Sequence, residues 1–374
     1  MPPGTDRPLD GLRVVDLGRH LPGPFATRML FELGAEVIKV ERPGNGDPIR
    51  QLPPFDGDPP QSRLFRALNA GKKSVALDLE SASGRRAFEA LVASADVVVD
   101  TFRPGTLDRL GYGPQTLLDA HPRLVVASLS GFGRGGPQAS RPGHDLSLAA
   151  RAGLLGLTTI DGDPVVLGVQ VADIGGSLAF AGSILAALVG RFRGGRGAVV
   201  DVSLTEAAAA FTLVRSVGEG EPLLDGRRAA YTIYPTRDGR HLAVAALEPK
   251  FWATFTAAIE LDGAGSDGML GGPEGAALRA QVAEKVRMRS AAQWREVFGR
   301  LPACVEPILA PSEVAEDPQL AARGFEGPGG GPRSPLRVGD AESASGAGLI
   351  GLRGPELGAD GPQILGALGL DSGG

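Results

Sequence analysis

The chain has 374 residues, 43% hydrophobic and 22% charged, with a formal net charge of -5. That length and composition suit a globular body of about two domains, and the acidic balance argues against the basic stripe of a nucleic-acid binder. One cysteine, Cys304, excludes an internal disulfide framework and fits a reducing compartment.

In chain order, the opening MPPGTDRPLD has no apolar signal core, so a cytoplasmic protein is expected. Residues 12–17 (LRVVDL) read as a strand, 25–33 as a helix closed by Gly34, and 36–40 (EVIKV) as a second strand. Strands follow at 74–79, 96–100 and 124–130, separated by helices at 83–94 and from 106 to 110. Short apolar strands alternating with helices predict an α/β fold, a Rossmann-like parallel sheet with helices on both faces. The longest uncharged run, 174–190, falls short of the roughly 20 apolar residues of a membrane span and reads as a buried helix. After a strand at 198–203 and the helical TEAAAAFTLV, the chain turns polar over 219–228. A second unit then opens with a strand at 231–234, an Asp238-Gly239 hairpin turn and a strand at 241–247. Helices are expected over 251–259 and about 276–301. The boundaries drawn are 1–200 for a large domain, 201–225 for a linker, 226–325 for a small α+β domain and 326–374 for a C-terminal segment.

Several motifs carry chemistry. Gly131-Phe-Gly133-Arg-Gly135-Gly136 follows a strand as a dinucleotide fingerprint would, but Pro137 and Pro142 continue it as a loop, so no nicotinamide site is expected. Arg42 and Arg103 follow predicted strands, where open α/β sheets bind ligands, and Lys72 and Lys73 precede one. Together they point to a phosphorylated ligand, although each alone reads equally as solvated loop charge. Gly143-His144-Asp145 and the VADIGGS segment around Asp173 are sharper. Asp173 stands before the apolar run as an N-cap, a role worth about 1 kcal/mol by itself, and His144 reads equally as a structural loop histidine. As a pair they suit acid–base work on both faces of a carbon beside a thioester, with free N–H groups of the helix start receiving the enolate oxygen. Glu248, between a strand and a helix, either favours the helix dipole or orients His144. Cys304 reads as buried and inert.

The blocks GLRVVDLGRHLPGPFATRMLFELGAEVIKVERPGNGDPIR, LNAGKKSVALDL, TFRPGTLDRLGYGP and PGHDLSLAARAGLL, in this order, together with YPTRDGRHLAVAALEPKFW and ACVEPIL, resemble the family III CoA-transferases (CaiB/BaiF superfamily). Within them the chain looks most similar to the α-methylacyl-CoA racemases. The resemblance runs over 9–325 and returns at 354–370. It implies a Rossmann-like large domain to which the C-terminal segment returns, a smaller domain, and two subunits interlocked as a homodimer. It also implies an acyl-CoA substrate, with no metal or redox cofactor and no membrane partner. His144 and Asp173 match the racemase acid–base pair, and Glu248 matches the glutamate that supports the histidine. Asp145 belongs to the same motif, and Arg42, Lys73 and Arg103 match positions near the CoA nucleotide. In the transferase branch, the aspartate equivalent to Asp173 is instead a nucleophile. Leu21 stands where the formate/oxalate transferases have glutamine. Ser147, Leu148 and Val169 depart from the racemase pattern. A CoA-transferase and a non-catalytic CoA-binding relative are the alternatives to a racemase.

Overall fold

The computed structural model describes residues 7–218, 223–265, 267–338 and 349–370. Residues 219–222 of the predicted linker, and 339–348 and 371–374 of the C-terminal segment, lie outside the described residues. The chain divides into two compact units, Met1–Leu213 with Pro318–Gly374, and Val214–Asp317.

Valine-rich runs build the first unit: β1 (Arg13–Leu17), β2 (Glu36–Glu41), β3 (Lys73–Ala76), β4 (Val97–Asp100), β5 (Val125–Ser130) and β6 (Val199–Ser203). They form one parallel sheet in the order β6-β5-β4-β1-β2-β3. Val15, for example, lies between Ile38 and Val98. Both faces are buried, so apolar residues run continuously along each strand rather than alternating with polar ones. Val14, Val97 and Val125 join a core on one face, whereas Val15, Val98 and Val126 join a core on the other. The order reverses between β1 and β4, and in such sheets the crevice at the carboxyl ends of those two strands is where ligands bind.

The helices that matter for the site are α1 (Pro22–Glu32), α2 (Ala82–Ala93), α3 (Asp145–Arg151), α4 (Val171–Gly194) and α5 (Leu204–Ala210). At 24 residues, α4 is longer than the uncharged run, and it is long and apolar enough to cross a membrane by those two measures. Here Phe180, Ala181, Ile184 and Leu188 pack on the sheet core with Val125 and Leu129, and Gly195 in the left-handed region ends the helix.

Under the β1–α1 turn lies a buried polar cluster. The Lys72 ammonium donates to Asp16 Oδ2 (3.2 Å), Thr27 Oγ1 (2.8 Å), Asn69 Oδ1 (2.9 Å) and the Pro24 carbonyl (3.0 Å). Lys39 Nζ donates to the Gly18 carbonyl at 2.6 Å and pairs with Asp47 at 3.0 Å. Lys72, expected at a phosphorylated ligand, is therefore an internal counter-ion with a fully buried side chain. Burial pushes its ammonium down to about 8, against the attraction of Asp16.

The second unit is an antiparallel sheet of β7 (Tyr231–Pro235), β8 (His241–Ala245) and β9 (Val305–Pro307), with α6 (Pro249–Ala258), α7 (Gly272–Val286) and α8 (Ala291–Phe298). The helical stretch expected over 276–301 is two helices, because Ser290 and Gln293 form a capping box that starts α8 afresh. Trp252, Phe255, Trp294 and Phe298 fill its core. Cys304, expected to be buried, is exposed with φ +51, since Ala303 and Val305 on either side take the core positions.

The C-terminal segment packs within the first unit, where α9 (Gly361–Ala367) covers the edge of the sheet at β3. Asp360 N–H donates to the Ser74 carbonyl at 3.0 Å, and Ser74 N–H donates to Asp360 Oδ2 at 2.8 Å. Replacing Lys72 by alanine leaves Asp16 buried without its partner, so a loss of about 3–5 kcal/mol in stability is expected. Denaturant titration reads it, and unchanged stability with weakened binding of a phosphorylated ligand would return Lys72 to a ligand site.

Candidate active site

The carboxyl ends of β1, β4 and β5 frame a cleft of about 300 Å³ whose lining includes Arg103, His144 and Asp173. Each side chain arrives there for a local reason. Beyond Ser130 no helix opens, so the glycine fingerprint is a loop, as its prolines predict. Gly143 leaves room for the buried Leu148, since a Cβ there would come within 2.5 Å of Leu148 Cδ2 and force that side chain to shift. Leu148 anchors α3 in the core, and His144 precedes the helix as its N-cap. Ser147 Oγ accepts from His144 N–H at 3.1 Å and donates to the His144 carbonyl at 2.8 Å. The serine that departs from the racemase pattern thus caps α3 and fixes the histidine backbone. The imidazole is exposed and has no hydrogen-bond partner among the described residues.

Asp173 is not the N-cap expected of it. Helix α4 begins at Val171, and Asp173 N–H donates to Asp145 Oδ1 at 3.0 Å. Asp145 does the capping from α3, which leaves the Asp173 carboxylate with no hydrogen bond among the described residues. Burial first, then the neighbouring Asp145 charge, raise Asp173 to about 6 against the opposing pull of His144. The same capping takes up one of the N–H groups expected to receive an enolate oxygen. Behind Asp173, Ser177 Oγ donates to the Asp173 carbonyl (2.6 Å) and the Pro22 carbonyl (2.8 Å), tying α4 to α1. Gly175 and Gly176 let α4 approach closely, since a Cβ on either would meet Phe211 (2.6 Å) or Leu204 (2.2 Å).

Residues 9–360 match the CoA-transferase family III. The chain belongs to that family. It is 34% identical over 361 residues to the acetyl-CoA:oxalate CoA-transferase of Acetobacter aceti, covering 88% of this chain and 89% of that protein. It is 33% identical over 320 residues to the alpha-methylacyl-CoA racemase of Mus musculus, covering 82% and 79%. The crystal structure of a CAIB/BAIF family protein from Brucella suis superposes with a TM-score of 0.82 at 31% identity, over 97% of this chain and all of that one. The family resemblance read from the motifs is thereby shown, and its relatives include both racemases and CoA-transferases.

The cations of this family III chain sort into three places. Arg103 lines the His144–Asp173 cleft, on a turn held where Asp100 Oδ1 accepts from Phe102 N–H at 2.9 Å. Arg42 lines an adjacent cleft of about 230 Å³ along β1, β2 and the chain after β3. Lys73 lies at the opposite, amino end of the sheet, paired with Glu36, which also holds Arg13. With six residues of β2 separating Glu36 from the Arg42 end, roughly 17–20 Å intervene, so the structure does not bring Lys73 to the other two. Motif reading missed Arg19 and Arg141. Arg19 borders both clefts, its guanidinium 4.6 Å from the centre of the Phe102 ring that they share. Burial lowers Arg19, Asp47 opposes this, and Arg42 adds to the lowering. Its position directly after β1, like that of Arg42 after β2, was the available signal. Arg141 sits in the loop before His144 and had none. Glu248 is in the second unit, exposed, at the N-cap of α6 without bonding to it.

Since Asp173 titrates near 6 in the fold and at 3.8 in its absence, its ionised form is disfavoured by folding. That contribution to stability is intact below about pH 4 and is lost as pH rises through about 6. Asp173→Asn is expected to stabilise the chain by about 3 kcal/mol at most above pH 7, with the gain vanishing towards pH 4. Denaturation midpoints across that range measure it, and a pH-independent difference would contradict the raised value.

Proposed function

We propose that this protein is an acyl-CoA racemase or epimerase acting on 2-methylacyl thioesters by α-proton abstraction and return. One observation carries the reading: an imidazole and a partly desolvated carboxylate, each without a hydrogen-bond partner among the described residues, line a single cleft at the switch point of the sheet. His144 takes the α-proton of one epimer, electrons move into the thioester carbonyl to form an enolate, and Asp173 delivers a proton to the opposite face. The reverse reaction exchanges the roles. A carboxyl near 6 suits a group that must both give and accept protons close to neutrality. Arg19, Arg42 and Arg103 supply fixed positive charge for the CoA phosphates. On the family resemblance, Glu248 orients His144, the working unit is an interlocked homodimer in the cytoplasm, and no metal or redox cofactor takes part.

A second reading has its own support. A desolvated carboxylate accepting no hydrogen bond among the described residues is also a competent nucleophile, and the Acetobacter aceti relative bears the name of a CoA-transferase. In that case an Asp173 oxygen attacks the thioester carbonyl, the C–S bond breaks, and CoA thiolate leaves behind a mixed anhydride.

Proton NMR of (R)- and (S)-2-methylacyl-CoA in deuterated buffer separates the two. The proposal expects deuterium at the α-carbon with stereochemical scrambling, reduced at least about a hundredfold by His144→Ala or Asp173→Ala. The direction in which Asp173 is the base should slow about tenfold per pH unit below about 6, as the carboxylate takes up its proton. Absence of exchange, with CoA passing to an added carboxylic acid and inactivation by hydroxylamine, would replace the racemase by the transferase.

A further inference from the structure

The glycines of the run 131–136 take no part in proton transfer, and one of them has no static role. Gly133 and Gly136 have φ of +79 and +84, a region that suits glycine. Gly135 lies outside that region, and a Cβ there would meet nothing within 4 Å. Neither backbone strain nor close packing therefore calls for glycine at 135.

The run opens a segment whose two ends are fixed and whose middle is not. The Gly131 carbonyl accepts from Thr205 N–H at 3.0 Å and from Thr205 Oγ1 at 2.7 Å. Arg134 N–H donates to Asp201 Oδ2 of β6 at 3.1 Å. The Arg134 guanidinium donates to Asp108 Oδ2 at 3.0 Å, in the short helix Thr106–Arg109. At the far end Gly143 lies against the buried Leu148, and His144 opens α3. Between these anchors, the hydrogen bonds of 135–141 among the described residues all stay inside the segment. Ala139 N–H donates to the Gly136 carbonyl (3.4 Å) and Arg141 N–H to the Gln138 carbonyl (2.9 Å). The Arg141 guanidinium donates to Gln138 Oε1 at 3.0 Å. Gly135, Gly136, Pro137, Ser140 and Arg141 are exposed. Even so, Ala139 and Arg141 line the cleft, beside an exposed His144.

A segment anchored at both ends and free between them, with glycine next to one anchor, is built like those that close over ligands. The cleft supplies a reason to close, because an exposed base trades its proton with bulk water and closure prevents that leakage. It also supplies a reason to stand open. Arg141 shares the cleft with Arg19 and Arg103 from the β1 and β4 ends, against one carboxylate, Asp173.

We propose that residues 135–141 are a lid, hinged at Gly135 and Gly136, that closes over the bound thioester and covers His144. Ligand phosphates offset the repulsion between Arg141 and the arginines of the strand ends, so the closed form is favoured only when ligand is bound. The inference rests on the acyl-CoA reading of the cleft.

Hydrogen–deuterium exchange of the full chain, with and without 2-methylpropanoyl-CoA, tests it without requiring turnover. Amides of 135–141 should exchange at least about tenfold more slowly in the complex, together with those of 101–105. Gly135→Ala enters open space at an ordinary φ, so its denaturation midpoint should equal or exceed that of the wild type. It should nonetheless bind the thioester at least about threefold more weakly and lose most of the protection over 135–141. Protection of 101–105 without protection of 135–141 overturns the lid and leaves the acyl-CoA reading in place. Wild-type affinity and protection in Gly135→Ala overturn the hinge. Exchange unchanged everywhere by the thioester contradicts the acyl-CoA reading itself, and this inference with it.

Discussion

The hydrogen bond from Asp173 N–H to Asp145 Oδ1 joins two segments 28 residues apart and has three consequences. It satisfies a backbone donor in the first turn of α4, a task the carboxylate of that turn could otherwise take. It thereby leaves the Asp173 side chain to the cleft. It also places the Asp145 charge beside Asp173, where it adds to burial in raising that carboxyl. Because Asp145 opens α3 directly after His144, the same contact sets the imidazole and the carboxylate on neighbouring turns. A cap supplied from another helix is therefore what turns a structural aspartate into a chemical one.

That contact works only on a rigid base. The sheet order brings the ends of β1, β4 and β5 to one rim, and the ends of β1 and β4 are each held by a buried carboxylate. Asp16 accepts from Gly18 N–H at 2.7 Å after β1, and Asp100 accepts from Phe102 N–H after β4. Burial raises Asp100, although Ser128 and the Phe102 N–H oppose it. Lys72 and Lys39 are held beneath the first of these turns as counter-ions, which is why Lys72, read from the sequence as a ligand-site cation, never reaches solvent. The charge that does reach the rim is arginine.

Much of this was legible in the sequence. All six strands of the parallel sheet fall on runs read as strands, although the one read over 74–79 is shorter and starts at Lys73, and the Asp238-Gly239 turn does pair β7 with β8. The motif pair His144 and Asp173 also reaches one cleft. What the sequence could not show was long-range. Nothing local distinguishes Lys72, sealed by Asp16 and Asn69, from Lys73 on the surface. Nothing near Asp173 reveals that its cap comes from Asp145. Cys304 has no histidine or base beside it in sequence and so reads as buried and inert, but the core takes alternate residues there, and it falls on the outer set.

The central claim is that capping by Asp145 frees and raises the Asp173 carboxyl, and a site-specific carbon-13 NMR titration of that carboxyl tests it most directly. The account predicts a midpoint near 6 in the wild type and a clearly lower one in Asp145→Asn, which keeps the capping oxygen and removes the charge. A wild-type midpoint at the ordinary aspartate value of about 3.9, unmoved by the substitution, would contradict it.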